Sequence, residues 1–124
     1  MKGRRVGIGT TQQGFLVVVG VSKNLTEKFK LYACGPWQKG PWSIIKFDDA
    51  DDPTKIDPKS AKPVIQAPEK MYTRDASVIE YKDPFIIHAQ GKYHCYIIGY
   101  VRKNERIFHY SSEDGEKWEP VGYK

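Results

Sequence analysis

The fold is decided by YKDPFII at residues 81–87, followed by GKYHCY at 91–96 and SSEDGEKW at 111–118. The first segment predicts a strand that contains an Asp-Pro pair, and Gly-Lys predicts a tight turn into an aromatic-rich second strand. A third strand then leads into a Ser-Glu-Asp-Gly turn and Trp118. These segments together predict one antiparallel sheet unit in the C-terminal third of the chain.

A weaker copy of this pattern lies near the N-terminus and indicates an internal repeat. The matching positions are separated by 77 residues, or by 76 for the tryptophans. They are Gly14 with Gly91, residues 29–33 with 106–110, and Trp42 with Trp118. Both copies run strand, polar turn, strand, glycine-containing turn and tryptophan, so we expect two sheet units of similar construction.

Apolar residues recur with period two or in short runs, and helix signals are nearly absent. Strands are predicted at 6–9, 15–22, 29–34, 43–47, 78–81 continuing through 85–88, 93–101, 106–111 and 119–122. Hairpin turns are predicted at 12–14, 89–91 and 113–115. The predicted fold class is therefore all-β, with two four-stranded antiparallel sheet units.

The segment between the two units has a different composition. Residues 48–53 are acidic apart from Ala50 and Pro53, and prolines follow at five-residue intervals up to Pro68. Proline removes ladder donors, so an extended connection with at most a short strand at 63–65 is expected. The acidic run favours a solvated loop over a calcium site, because the spacing and glycine of a calcium loop are missing. We divide the single β domain, 1–124, into a first unit at 1–47, a connection at 48–76 and a second unit at 77–124.

The composition is that of a soluble globular protein, with 124 residues, 40% hydrophobic and 28% charged. The net charge of +5 favours general solubility over nucleic-acid binding, because no stripe of basic residues alternates with stacking aromatics. No signal peptide or membrane-spanning run is seen, which makes a cytoplasmic protein without membrane association the default expectation. Cys34 and Cys95 are expected to be free buried thiols, and a disulfide is the alternative.

The C-terminal motifs resemble the blades of the five-bladed β-propeller glycosidases, glycoside hydrolase families 43 and 32. The resemblance is carried by KDPF at 82–85, GKY at 91–93, SEDG at 112–115 and Trp118. It covers the second unit well and residues 14–42 faintly. It implies that the two units are propeller blades, and that Trp42 and Trp118 pack between them.

The resemblance also implies site residues. In these families an Asp before Pro on the inner strand faces a central funnel, which assigns a catalytic role to Asp83. The alternative is that Asp83 orders its strand through a local hydrogen bond. Glu80, the nearest second carboxylate, is the other candidate catalytic residue, although strand alternation places it on the opposite face from Asp83. Tyr81, Phe85 and Tyr96 are the predicted substrate-binding residues.

A complete glycosidase needs two carboxylates, one on either side of the scissile bond. The position that matches Asp83 in the first copy of the repeat is Val6, which has no carboxylate. The expected function is therefore a family 43-like protein that acts on or binds polysaccharide and is catalytically incomplete as a single chain. The alternative is a non-catalytic carbohydrate-binding or protein-interaction module on the same scaffold. Two blades cannot close a ring, so a homo-oligomer or part of a larger propeller is expected.

Other chemistries have weaker signals. His88, His94 and His109 lack the spacing of metal ligands and lie on separate predicted segments, so no metal site is expected. The Gly-Ile-Gly at residues 7–9 lacks the third glycine and the helix of a dinucleotide-binding loop, so no cofactor is expected.

Overall fold

A computed structural model describes residues 4–10, 16–22, 28–38, 42–67, 78–101 and 104–123, without the side chains of 4–10, 16–22, 78–79, 101 and 104. These segments contain one short 3₁₀ helix, Pro58–Ser60, and no α-helix. Their strands are β1 Arg4–Thr10, β2 Leu16–Ser22, β3 Phe29–Pro36, β4 Trp42–Ala50, β5 Lys62–Ile65, β6 Val78–Ala89, β7 Lys92–Val101, β8 Asn104–Ser112 and β9 Glu119–Tyr123. The all-β prediction is confirmed.

The strands form two antiparallel sheets, each of which follows the chain order. The first sheet has the order β1-β2-β3-β4-β5 and the second has the order β6-β7-β8-β9. The sequence predicts four strands in each, which is wrong for the first sheet, because β5 from the proline-rich connection pairs with β4. Pro63 is tolerated in β5 because this strand lies at the sheet edge, where one side of the backbone needs no ladder partner.

The turns explain how the chain reverses between strands. Gln90 and Gly91 have φ of 53° and 77° between the paired residues Ala89 and Lys92. Two successive residues with positive φ are typical of a type I′ hairpin, as the Gly-Lys motif predicts. The turn predicted at 12–14 and the first residue of the strand predicted at 15–22 lie outside the described residues.

The two sheets pack face to face around one hydrophobic core. Alternate residues of both sheets contribute to it because strand side chains point to opposite faces in turn. Its buried members are Tyr32, Cys34, Ile44 and Ile65 from the first sheet and Tyr81, Ile86, Tyr93, Cys95, Ile97, Phe108 and Tyr110 from the second. The partly buried Trp42 and Trp118 pack against this core, as predicted.

The first sheet is buried on its other face as well. A second cluster consists of Phe29, Leu31, Ala33, Ile45 and Phe47. Ile56 and Ala61 pack against this cluster, so the connection after β4 covers part of it. The described middle strands β3 and β4 are therefore apolar on both sides, which explains their continuous hydrophobic runs.

The loop between β8 and β9 joins the two sheets. Ser112 Oγ accepts hydrogen bonds from the backbone N–H of Gly115 at 2.8 Å and of Asp114 at 3.3 Å. The Gly115 carbonyl accepts the Trp118 indole N–H at 3.1 Å and the Tyr32 hydroxyl, from the first sheet, at 2.7 Å. The Trp118 ring also meets the Tyr32 ring edge to face at 6.2 Å. The Ser-x-Asp-Gly-x-x-Trp motif thus builds a rigid loop that fits against the opposite sheet.

A buried lysine lies beside this contact. Lys46 is 1% exposed, and its Nζ donates to Asp49 Oδ1 at 2.6 Å and to the Phe47 carbonyl at 2.9 Å. Glu116 Oε1 lies 3.4 Å from the same nitrogen and comes from the loop of the second sheet. A buried ammonium group is costly unless it is paired, so these oxygens are what allow Lys46 to lie inside.

Three residues of the acidic run predicted to be a loop, 48–50, instead end strand β4, and two carboxylates of the run have partners. Asp49 also pairs with Lys30 at 3.2 Å, and Asp52 accepts hydrogen bonds from the backbone N–H and hydroxyl of Thr54.

The described part of the chain contains no helix that is long and apolar enough to cross a membrane.

Candidate functional site

The Asp-Pro pair of β6 forms a bulge in the strand. The pairing of β6 with β7 shifts register between Lys82 and Phe85, and Asp83 has a φ of 51°. Pro84 has no N–H to offer to the ladder, so the ladder is interrupted where the donor is missing. Aspartate is one of the few non-glycine residues that adopt positive φ readily. The bulge leaves the Asp83 side chain exposed, while Pro84 is buried.

Charged and aromatic groups surround Lys82. Its Nζ lies 3.0 Å from Glu80 Oε2, 4.9 Å from the centre of the Trp42 ring and 5.2 Å from that of Tyr100. The hydrogen bond with Glu80 is the main cause of a raised pKa for Lys82, and the charge of Asp83 adds to it. Strand alternation predicts that Glu80 and Asp83 are on opposite faces. Because the bulge interrupts the alternation, Glu80 and Asp83 both lie close enough to Lys82 to raise its pKa.

The predicted role of Tyr81 in substrate binding is wrong. Tyr81 is fully buried between the sheets, and its hydroxyl shares a hydrogen bond of 2.9 Å with the Tyr110 hydroxyl. Its ring also packs at 5.2 Å from the ring of Phe108. Its position between Glu80 and Lys82, which both lie on the outward face, assigns Tyr81 to the inner face.

Phe85 and Tyr96 are exposed together on the outward face of the second sheet. The two residues are directly paired between β6 and β7, and 46% of Phe85 and 37% of Tyr96 is accessible to solvent. The Tyr96 ring stacks on His109 of β8, with centroids 4.5 Å apart and planes 14° apart. These three side chains form a row across three strands, which we call the aromatic row.

A surface pocket of about 530 Å³ adjoins the aromatic row. It is lined by Tyr96, Ile107, His109, Val121, Gly122 and Tyr123. Ile107 and Val121 are 46% and 57% exposed, so this face remains apolar as far as β9. A second pocket of about 320 Å³ lies beside the β8–β9 loop and is lined by Lys92, Ser111, Ser112, Glu113, Asp114, Lys117 and Glu119.

Two histidines that the sequence separates are brought together on this face. The ring nitrogens His94 Nδ1 and His109 Nε2 lie 3.0 Å apart. His88 lies apart from this pair, with its ring packed edge to face against Tyr93. The signal that could have found the pair is the register of the hairpin: a reversal from Val101 to Asn104 pairs Tyr96 with His109, which makes His94 a diagonal neighbour of His109 on the same face.

The cysteines are free and buried, as expected. Burial raises the pKa of the Cys34 thiol, although a hydrogen bond from the Asp83 backbone N–H opposes the shift. Burial also raises the pKa of Cys95. Protonated thiols are poor nucleophiles, so neither residue is suited to covalent chemistry. Among the described residues, no three His, Cys, Asp or Glu side chains form a group that could hold a metal ion.

No protein-family model, curated protein or solved structure matches this chain. The outward face of the second sheet combines exposed rings with two carboxylates and an ammonium group along β6. Such a surface can bind a ligand that has both apolar faces and hydroxyl groups.

Proposed function

We propose that this protein binds carbohydrate on the outward face of its second sheet, and that it does so without hydrolysing it. The observation that carries the proposal is the exposed cross-strand pair of Phe85 and Tyr96, with the exposed Asp83 two residues before Phe85. The rings would stack on the apolar face of a sugar. The carboxylates of Asp83 and Glu80 would accept hydrogen bonds from its hydroxyls.

The amphipathic character of sugars is the reason for this choice. A pyranose or furanose ring presents C–H groups on one face and hydroxyls around its edge, so it needs both an apolar platform and polar acceptors. Aromatic side chains supply large contact areas at low cost in conformational entropy. On β6, Phe85 supplies the platform while Asp83 and Glu80 supply acceptors on the same strand.

The scaffold in this proposal is a pair of propeller-like blades of the family 43 type. The three motifs that carry the resemblance each have a distinct structural role. Asp-Pro makes the bulge, Gly-Lys-Tyr begins with the second residue of the hairpin turn, and the loop that ends in Trp118 packs on the first sheet. A homo-oligomer or a larger propeller would supply the blades that two sheets lack.

Binding without hydrolysis follows from the carboxylates. Hydrolysis requires an acid and a second carboxylate about 5–5.5 Å or 6.5–9.5 Å apart on either side of the bond. Glu80 is held in an ion pair with Lys82 at 3.0 Å and is therefore poorly suited to act as the acid. We accordingly assign Glu80 and Lys82 to binding, and leave Asp83 without a catalytic partner on this chain.

Titration of the protein with soluble arabinan, xylan and levan, followed by calorimetry, tests the proposal. Tyr96→Ala and Phe85→Ala should weaken binding by about 10-fold or more, the effect of losing a well-packed aromatic contact of some 1.4 kcal/mol. Tyr96→Phe keeps the ring and should bind almost as well as wild type. Lys55→Ala, an exposed truncation in the connection after β4 of the first sheet, is the control. Absence of binding, or equal binding by all variants, would refute the proposal.

A panel of nitrophenyl glycosides tests the claim that no hydrolysis occurs. We expect no turnover by the wild-type chain. Turnover that disappears in Asp83→Asn would instead establish a hydrolase and assign Asp83 as its catalytic carboxylate. If neither sugar binding nor turnover is found, the protein-interaction alternative on the same scaffold replaces the carbohydrate proposal.

A further inference from the structure

The outward face carries two imidazoles in direct contact. His94 Nδ1 and His109 Nε2 lie 3.0 Å apart on neighbouring strands, with ring centroids separated by 5.2 Å. We propose that this pair is a binding site for a divalent transition metal of the Cu²⁺ or Ni²⁺ type. The metal site would share His109 with the aromatic row, but Cu²⁺ binding is measured without carbohydrate, so the two proposals are tested separately.

The distance between the two nitrogens is compatible with a shared metal ion. Imidazole nitrogens bind first-row divalent metals at about 2.0–2.1 Å, so two of them at a right angle are separated by about 2.8–3.0 Å. A tetrahedral angle would require about 3.3 Å for the same bond lengths. The observed 3.0 Å is the length of the hydrogen bond between the rings, and it is also compatible with a right-angle pair, the arrangement found in square-planar, tetragonal and octahedral sites. Cu²⁺ and Ni²⁺ prefer that geometry, and Cu²⁺ generally binds most tightly.

The second argument is that the rings are already held in place. The side chains project from β7 and β8, which pair without a register shift from Tyr93 to Val101. The stacked Tyr96 ring supports one face of His109. In the present hydrogen bond the two nitrogens point at each other, whereas a metal bound by both at a right angle would lie about 45° off the line that joins them, so each ring would have to turn about its side-chain bonds. The proton that the two nitrogens share would move to the outer nitrogen of the donor ring.

The remaining coordination positions of the metal would be open to water. Both histidines are only partly buried, so water can reach them from the outward face. No third histidine, cysteine or carboxylate of the described chain completes a metal-binding group here. Water would occupy the other positions, as tetragonal and octahedral sites allow. A structural zinc site, with four protein ligands, does not fit this pair.

The test is Cu²⁺ binding to the full chain without an affinity tag, measured by calorimetry and electron paramagnetic resonance. We expect one tight site per chain with a tetragonal spectrum that shows two equivalent nitrogen ligands. His94→Gln and His109→Gln should each weaken Cu²⁺ binding by at least about 10-fold. Loss of a residue that only supports a ligand already costs about that much, and these two residues are the ligands themselves. His88→Gln, which removes a histidine outside the pair, should bind Cu²⁺ as the wild type does.

The folded state of each variant is checked by its melting temperature without metal. If a glutamine variant is unfolded, the nitrogen couplings of the wild-type spectrum decide the question. Nickel should also raise the melting temperature of wild type and of His88→Gln, because a ligand that binds the native state stabilises it. Absence of Cu²⁺ binding, a spectrum without two nitrogen ligands, or unchanged binding by both variants of the pair would overturn the proposal.

Discussion

Gly115 and Gly91 offer a matched test of how the two sheets pack. Both have positive φ, 78° and 77°, so alanine is strained to the same degree at each position. A Cβ at Gly91 would meet no atom within 4 Å, whereas at Gly115 it would lie 2.8 Å from Tyr32 Oη and 2.9 Å from Lys30 Cδ. The two substitutions therefore differ only in what surrounds the added methyl group.

The expected loss of stability follows from these contacts. The left-handed backbone costs an alanine about 1–2 kcal/mol at either site. Lys30 Cδ belongs to a flexible side chain and can move, but Tyr32 Oη is buried and donates to the Gly115 carbonyl at 2.7 Å. Displacing that hydroxyl leaves a buried polar group without its partner, at a further cost of about 1–3 kcal/mol. Gly115→Ala should thus lower the free energy of unfolding by about 2–5 kcal/mol.

Urea denaturation of the wild type and the two variants measures both values. Gly91→Ala should lower the free energy of unfolding by about 1–2 kcal/mol, the backbone strain alone. Gly115→Ala should lose at least about 1 kcal/mol more than this, from the buried hydrogen bond. An equal or smaller loss for Gly115→Ala would show that the β8–β9 loop does not pack on Tyr32 as described.

Five other substitutions, at four positions, test the charges and the bulge. Hydrogen bonds from the backbone N–H groups of Lys117 and Glu116 lower the pKa of Asp114 to about 2, so its stabilising effect should be complete above its ordinary pKa of 3.8. That effect should disappear as the pH falls towards 2, so the urea midpoints of wild type and Asp114→Ala should converge there. Lys46→Met should change the free energy of unfolding by less than about 1 kcal/mol, whereas Asp49→Ala should cost about 1–3 kcal/mol because it leaves the buried ammonium poorly paired. At Asp83, thermal denaturation should show little change for Asn and a loss of about 1–2 kcal/mol for Val, since β-branched residues rarely adopt positive φ.

Local sequence patterns predict the strands and turns of this fold well. Alternating apolar residues or short continuous apolar runs mark the long strands, and the Gln90-Gly91 turn follows from the residues that a two-residue hairpin requires. The strand β5 is harder to predict, because Pro63 and the short apolar run beside it are typical of a connection. Only the exposed edge of β4 makes a strand favourable there.

The candidate site is less predictable because it depends on which face each residue occupies. The bulge at Asp83 interrupts the alternation that assigns Glu80 and Asp83 to opposite faces. Tyr81, on the inner face, is an ordinary core residue, although its sequence neighbours are surface residues. The His94–His109 contact depends on the β7–β8 register, which a pattern of polar and apolar residues does not fix to a single position.

The most direct test of carbohydrate binding on the outward face is a titration followed by two-dimensional ¹H–¹⁵N NMR. The protein would be titrated with oligosaccharides from whichever polysaccharide it binds best. We expect the largest shift changes at the backbone amides of Phe85, Tyr96 and His109, the three members of the aromatic row. Shift changes confined to the pocket beside the β8–β9 loop, or no changes at all, would contradict this prediction.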